Sequence, residues 1–325
     1  MNKAEPLLRV EHLKKYFSSR KQFLGGPVKT VKAVDDVTFE IPRGGILGVV
    51  GESGCGKSTL GRAILRLHEP DSGSVMYNGI DLLSLDNRQM REYRQKLQII
   101  FQDPYASLNP RMTVKELICA SLDVFGIGTK EERIQQVLDM MEKVGLPLEY
   151  LNRYPHEFSG GQRQRIMIAR ALVLKPDFVV CDEPVSALDV SVRAQVLNLM
   201  RDLQQELSLT YLFISHDLSV VRYLCDRIMV MYLGKPVEIA SKDELYSDAK
   251  HPYTQALLSS IPIPDVDAAP KRIRLTGDVP SPFNPPKGCR FHTRCTYARP
   301  ECRELEPELK DMGGGHMAAC HLCRD

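Results

Sequence analysis

The first 220 positions alternate between two apolar periods. KAVDDVTFEI, residues 32–41, alternates apolar and polar as a half-buried antiparallel strand does. ILGVVG, residues 46–51, is a continuous apolar run closed by glycine, the form of a parallel strand buried on both faces. LQIIFQ (97–102), DFVVCDE (177–183) and TYLFISH (210–216) repeat it, each ending in a polar residue. Between Gln102 and Tyr154 the period turns helical, as in KEERIQQVLDMMEKVGL, with no buried strand. This order predicts an α/β fold with a helical subdomain inserted at about residues 103–158. Ligands of open α/β sheets gather at the carboxyl ends of the strands.

Composition then divides the chain. After about residue 250, proline and glycine rise in IPIPDVDAAP and VPSPFNPPKG, which predicts a main domain over 1–250, a linker and a small irregular tail within 251–325. A net charge of +2 gives no global reason to expect nucleic acid as partner. No apolar run approaches the roughly 18 residues that span a bilayer. The start, MNKAEPLLRVEHLKKYF, has no apolar h-region, so the expectation is a cytosolic chain whose membrane role needs a partner.

GESGCGKS, residues 51–58, fits G-x-x-x-x-G-K-[ST] between a strand and the helical TLGRAILRL. In that motif the backbone amides of Gly54, Cys55, Gly56 and Lys57 cradle phosphate at a positive helix end. Gly51, Ser53 and Thr59 complete the loop; Lys57 reaches the β- and γ-phosphates and Ser58 ligates Mg²⁺. FVVCDEP, residues 178–184, supplies the complement: Asp182 to hold Mg²⁺ through water and Glu183 to act as general base. In FSGGQRQRIMIARAL, residues 158–172, Ser159, Gly160, Gly161 and Gln162 open a helix whose N-terminus can accept a second anion.

A phosphate loop, SGGQ and a strand-end carboxylate pair in this order resemble the ATP-binding subunit of an ABC transporter. The resemblance implies an ABC-type P-loop ATPase fold binding ATP and Mg²⁺, with the SGGQ of one subunit closing over the ATP of another. It makes Gln102 the Q-loop glutamine that contacts Mg²⁺, and places Asp189 of SALD (186–189) in the D-loop. It makes His216 the switch histidine and Phe17 the aromatic that stacks on adenine, with adjacent Tyr16 as the alternative. SLNPRMTV, HPYTQALLSSIP and GCRFHTRC narrow it to oligopeptide/dipeptide permease ATPases over nearly the whole chain. SSRKQFLGGPVKT, residues 18–30, resembles the second of the paired ATPase subunits. The implied partners are a sister ATP-binding subunit or a second copy, two transmembrane permease subunits and an extracytoplasmic peptide-binding protein, with no nucleic acid. The implied place is the cytoplasmic face of the inner membrane, as a peripheral protein. Related systems carry nickel or other small solutes. Soluble ABC ATPases acting on nucleic acid or ribosomes form the rival class, but their second nucleotide domain or long coiled coil is absent here. A degenerate, non-hydrolysing module would lack Glu183 or His216, and both are present.

Five of the nine cysteines fall in the last 37 residues. Cys289, Cys295, Cys302 and Cys320 give C-x5-C-x6-C-x17-C, which suits a metal better than disulfides in a reducing compartment. Tetrahedral Zn²⁺ or a [4Fe–4S] cluster would serve, and the wide spacing together with the permease resemblance favours iron–sulfur. His292, His316 or His321 could replace a ligand if the metal is zinc, and Cys323 is left over. A small tail with little core is expected to be stapled by that metal.

Overall fold

The computed structural model describes residues 6–18, 30–261 and 273–323. The insertion read at 18–30 lies almost wholly outside them, as does the linker core at 262–272. In chain order the elements begin with β1 (Pro6–Ser18), β2 (Thr30–Pro42), β3 (Ile46–Val50), α1 (Lys57–Ile64), β4 (Ser72–Tyr77), β5 (Ile80–Asp81), α2 (Asn87–Tyr93) and β6 (Leu97–Ile100). Then come α3 (Pro104–Ser107), α4 (Val114–Phe125), α5 (Lys130–Lys143), α6 (Gly160–Leu172), β7 (Phe178–Asp182), α7 (Val190–Glu206) and β8 (Thr210–Ile214). The chain continues through α8 (Leu218–Leu224), β9 (Arg227–Tyr232), β10 (Lys235–Ser241), α9 (Lys242–Ser247), α10 (Pro252–Ser259), α11 (Pro300–Glu304), β11 (Lys310–Asp311) and β12 (Met317–Ala318). These fall into two compact units.

Among the described residues the first unit holds 6–7, 41–46 and 84–214. Its strands β6, β7 and β8 run parallel, with Leu97 opposite Phe178 and Cys181 opposite Phe213. Every residue of β7 and β8 is buried, which is why both read as unbroken apolar runs. Helices α4 and α5 each begin at a threonine cap with a glutamate three residues on, Thr113 with Glu116 and Thr129 with Glu132. Each pair satisfies two amides that the first turn leaves unpaired. Gly126, at φ 67°, ends α4 in the left-handed conformation. Leu117, Ile118 and Leu122 of α4 and Val137, Met140 and Met141 of α5 form the buried stripe of this helical part.

Among the described residues the second unit holds 8–18, 30–40, 47–83, 215–261 and 273–323. In it β1 pairs antiparallel with β4, Leu8 opposite Tyr77 and Val10 opposite Val75. Strand β3 runs parallel to β9, β10 returns antiparallel beside β9, and β12 adds to β10 with Glu238 opposite Ala318. The tail thus extends the sheet that carries the phosphate loop and shares its compact unit. Buried Glu238 joins the two: its carboxylate accepts from the Lys250 amide at 2.6 Å, the His251 amide at 3.0 Å and His316 Nε2 at 2.7 Å.

Candidate functional site

In the second unit the loop between β3 and α1 turns through glycines that no other residue could replace. A Cβ on Gly51 would stand 2.2 Å from the Met231 carbonyl oxygen, and one on Gly56 would stand 1.9 Å from that of Ala33. Gly56 also has φ 106°, so this close approach and the left-handed backbone both demand glycine. Lys57 is buried and arches back over the loop, its Nζ donating to the carbonyls of Gly51 at 2.8 Å and Glu52 at 3.1 Å. The ammonium is thereby held beside the first two residues of the loop. Ser58 and Thr59 follow in the first turn of α1. Cys55 is buried, and burial raises its thiol pKa, which keeps it an inert wall of the loop.

The two aromatic candidates part company. Tyr16 donates its hydroxyl to Asp35, and Lys32 Nζ lies 5.4 Å from its ring centroid. Burial together with that carboxylate raises the Tyr16 phenol above its ordinary range. Phe17 is 39% exposed and meets His68 edge-on at 5.4 Å, with Lys15 Nζ 5.3 Å from its ring centroid. Of the pair, Phe17 is the more exposed. His216 is exposed just beyond buried Ser215, whose amide donates to the Val49 carbonyl at 3.1 Å. Asp217 then caps α8 by accepting from the amides of Ser219 and Val220.

In the first unit Gln102 and Glu183 meet, Nε2 donating to Oε2 at 3.0 Å. Asp182 is 1% exposed at the end of β7. Glu183 leaves that strand at φ 49°, a conformation uncommon outside glycine, with its amide donating to the Ile214 carbonyl at 3.0 Å. The turn aims the carboxylate off the strand end. Ser159 caps α6 reciprocally with Gln162: its N–H donates to Gln162 Oε1 at 3.0 Å, and its hydroxyl accepts from the Gln162 amide at 3.4 Å. A Cβ on Gly161 would lie 2.3 Å from Val192 Cγ1, and one on Gly160 would lie 3.5 Å from Leu188 Cδ2. The signature glycines therefore press against the SALD turn and the start of α7, where Asp189 is exposed at the N-cap. Buried Arg163 of α6 donates to the Pro155 carbonyl at 2.7 Å and stacks its guanidinium 3.9 Å from the ring centroid of exposed Tyr105. That stack ties the segment after Gln102 to the signature helix.

The tail departs from expectation. Among the described residues no group of three or more His, Cys, Asp and Glu side chains is placed to hold a metal ion. The metal-binding tail domain expected on Cys289, Cys295, Cys302 and Cys320, as [4Fe–4S] or zinc, is not present as a formed centre. The thiols do gather: those of Cys295, Cys302 and Cys320 all help to raise the Cys289 thiol to about 11, with burial the larger cause. The Cys289 amide also donates to the Cys302 carbonyl at 2.9 Å. What visibly staples the tail is different. Phe291 is 2% exposed and packs on Tyr232, Tyr253 and His251 at centroid distances of 5.3, 5.3 and 5.6 Å. Buried Arg290 pairs with Asp35, and buried Arg294 pairs with Glu52. Sequence reading missed both arginine pairs, because partners 255 and 242 positions apart leave no local signal.

The family described as ABC transporter matches residues 34–186, and the oligopeptide/dipeptide transporter C-terminal region matches residues 237–302. The chain is 55% identical to a putative peptide import ATP-binding protein of Brucella ovis, covering 97% of each chain. It is 52% identical to the oligopeptide transport ATP-binding protein AppF of Bacillus subtilis, covering 98% of each. It is 54% identical to the dipeptide transport ATP-binding protein DppF of Escherichia coli, over 97% of this chain and 94% of that one. Among solved structures it resembles an ATP-binding cassette in a dimeric post-hydrolysis state bound to ADP and Pi, at TM-score 0.64 and 27% identity, over 72% of this chain and 98% of that one. The chain belongs to the ABC transporter ATPases, in the branch that carries the oligopeptide/dipeptide transporter C-terminal region.

Proposed function

We propose that the protein is the ATP-hydrolysing subunit that powers import of di- or oligopeptides through a membrane permease. Likeness to peptide-transport ATP-binding proteins from end to end, tail included, carries this reading. ATP phosphates rest on the loop amides of Gly51, Ser53, Gly54, Cys55, Gly56, Lys57, Ser58 and Thr59, with Lys57 Nζ against the outer phosphates. Phe17 stacks on adenine. By the motif reading Ser58, Gln102 and Asp182 would hold Mg²⁺, which would supply charge neutralisation at the γ-phosphoryl group. Glu183 takes a proton from the attacking water, and Gln102 orients its carboxylate. His216 senses the γ-phosphate.

Ser159, Gly160, Gly161, Gln162 and Asp189 act on the ATP of a partner subunit. One complete phosphate loop and one separate signature helix N-terminus in each chain support a head-to-tail pair with a sister subunit or a second copy. No helix among the described residues is long and apolar enough to cross a membrane. Attachment to the cytoplasmic face then comes through two permease subunits, supplied by an extracytoplasmic peptide-binding protein. The finer reading of the tail is that Cys289, Cys295, Cys302 and Cys320 would hold a [4Fe–4S] cluster, a reading that rests on their spacing in one tail and on the all-thiol donor set.

The test is reconstitution with peptide-permease subunits in proteoliposomes enclosing the binding protein and the peptide. A dipeptide or oligopeptide should stimulate ATP hydrolysis and leave the lumen as ATP is hydrolysed. Stimulation by Ni²⁺ and not by peptides would reassign the cargo, and stimulation by nucleic acid without permease would favour the rival class.

A further inference from the structure

Outside the assigned site, the strongest unexplained contact joins the tail to the phosphate loop itself. Arg294 holds the Glu52 carboxylate with both terminal nitrogens, at 2.7 and 3.0 Å. The arginine is 7% exposed, and its Nε is buried without a hydrogen-bond partner. Its charge is therefore compensated chiefly by Glu52, with the Tyr232 ring 6.0 Å away. Glu52 is gripped a second time: its amide donates to the hydroxyl of Tyr253, itself buried, at 2.9 Å. Val279, Pro280 and Pro282 line a cavity of about 90 Å³ with Glu52, Ser53, Gly54 and Cys55.

We propose that the C-terminal tail completes the nucleotide site, with Arg294 as a positioning residue that neutralises and fixes Glu52 so that the phosphate loop accepts a polyanion. The proposal rests on the reading of residues 51–58 as the ATP phosphate loop. The physical case is electrostatic. Glu52 sits inside a loop that must receive phosphates, and a free carboxylate there would repel them. A planar guanidinium cancels that charge and, through two parallel hydrogen bonds, also sets the orientation of the carboxylate and of the backbone carrying it. The Tyr253 hydroxyl holds the neighbouring amide, so one loop residue is fixed at both its ends by residues C-terminal to the nucleotide motifs.

Equilibrium dialysis of MgATP against the full chain and four variants tests this. Arg294→Met should weaken ATP binding by about tenfold, and Arg294→Lys, which keeps the charge, by less than about threefold. The double variant Arg294→Met/Glu52→Gln should recover to within about threefold of the unaltered protein, because both charges leave together. A merely structural arginine would show no such recovery. Lys57→Ala separates this inference from the reading beneath it. If Lys57→Ala loses ATP while Arg294→Met binds normally, the phosphate loop stands and the tail's role is overturned. If Lys57→Ala binds ATP normally, both fall. Should Arg294→Met prove too unstable to assay, Arg294→Gln takes its place: a tenfold loss supports the proposal, and normal affinity overturns it.

Discussion

Gln102 Nε2 donates to Glu183 Oε2 at 3.0 Å, joining residues 81 positions apart at the carboxyl ends of neighbouring parallel strands. Glu183 stands in a left-handed backbone conformation with its amide committed to Ile214, so the turn and the glutamine together determine where its carboxylate points. A base oriented by a third group is the general arrangement of an activated nucleophile. Here the orienting group begins a segment whose Tyr105 leans on Arg163 of the signature helix.

Glu183→Gln should preserve ATP binding and lower hydrolysis by at least about a hundredfold, the scale of a lost general base. With ATP present the variant should accumulate as a dimer on sizing chromatography, because closure continues while hydrolysis stops. Steady-state rates equal to those of the unaltered protein would remove Glu183 from the role.

Phe291→Ala should destabilise the protein by about 3–5 kcal/mol, since it empties the space between Tyr232, Tyr253 and His251. Urea unfolding reads the change. A cost near zero would show that the tail is held by something other than this aromatic cluster.

His251 predicts a pH dependence. Burial lowers its imidazole from the ordinary value to about 3, and its Nδ1 accepts from the Tyr253 amide. The unfolded chain takes up the proton near pH 6.5 and the folded one near 3, so protonation favours unfolding between those limits. The stability contribution is therefore complete above about pH 6.5 and falls by up to about 1.4 kcal/mol per unit as the pH drops towards 3. His251→Asn retains an acceptor for the helix cap and should flatten this slope between pH 6.5 and 4.5. An unchanged slope in urea titrations would assign the acid sensitivity to other groups.

Protein purified without oxygen should be brown, absorb near 400 nm and carry about four irons per chain if the tail thiols hold the cluster. Colourless protein with one zinc per chain would replace the cluster by a single tetrahedral ion, and metal-free protein would leave the aromatic cluster and arginine pairs as the whole attachment of the tail.

The nucleotide motifs were legible because each is local: phosphate loop, strand-end carboxylates and signature glycines need fixed residues within a few positions of one backbone turn. Gly51 and Gly56 show the reason, for a side chain at either would strike a carbonyl in any sequence adopting this turn. The apolar runs 46–50, 178–182 and 210–214 likewise announced buried parallel strands, since burial on both faces confines polar residues to the strand ends, at Asp182 and Thr210. The tail was different. Its cysteine spacing suggested a metal staple, whereas folding places Phe291 in an aromatic cluster and sets Arg290 and Arg294 against Asp35 and Glu52. A surface arginine and a buried, paired one look alike in sequence. Which it becomes depends on the return of the chain over more than two hundred residues, through the pairing of β10 with β12 and the seating of α10, and that was decided only by tertiary packing.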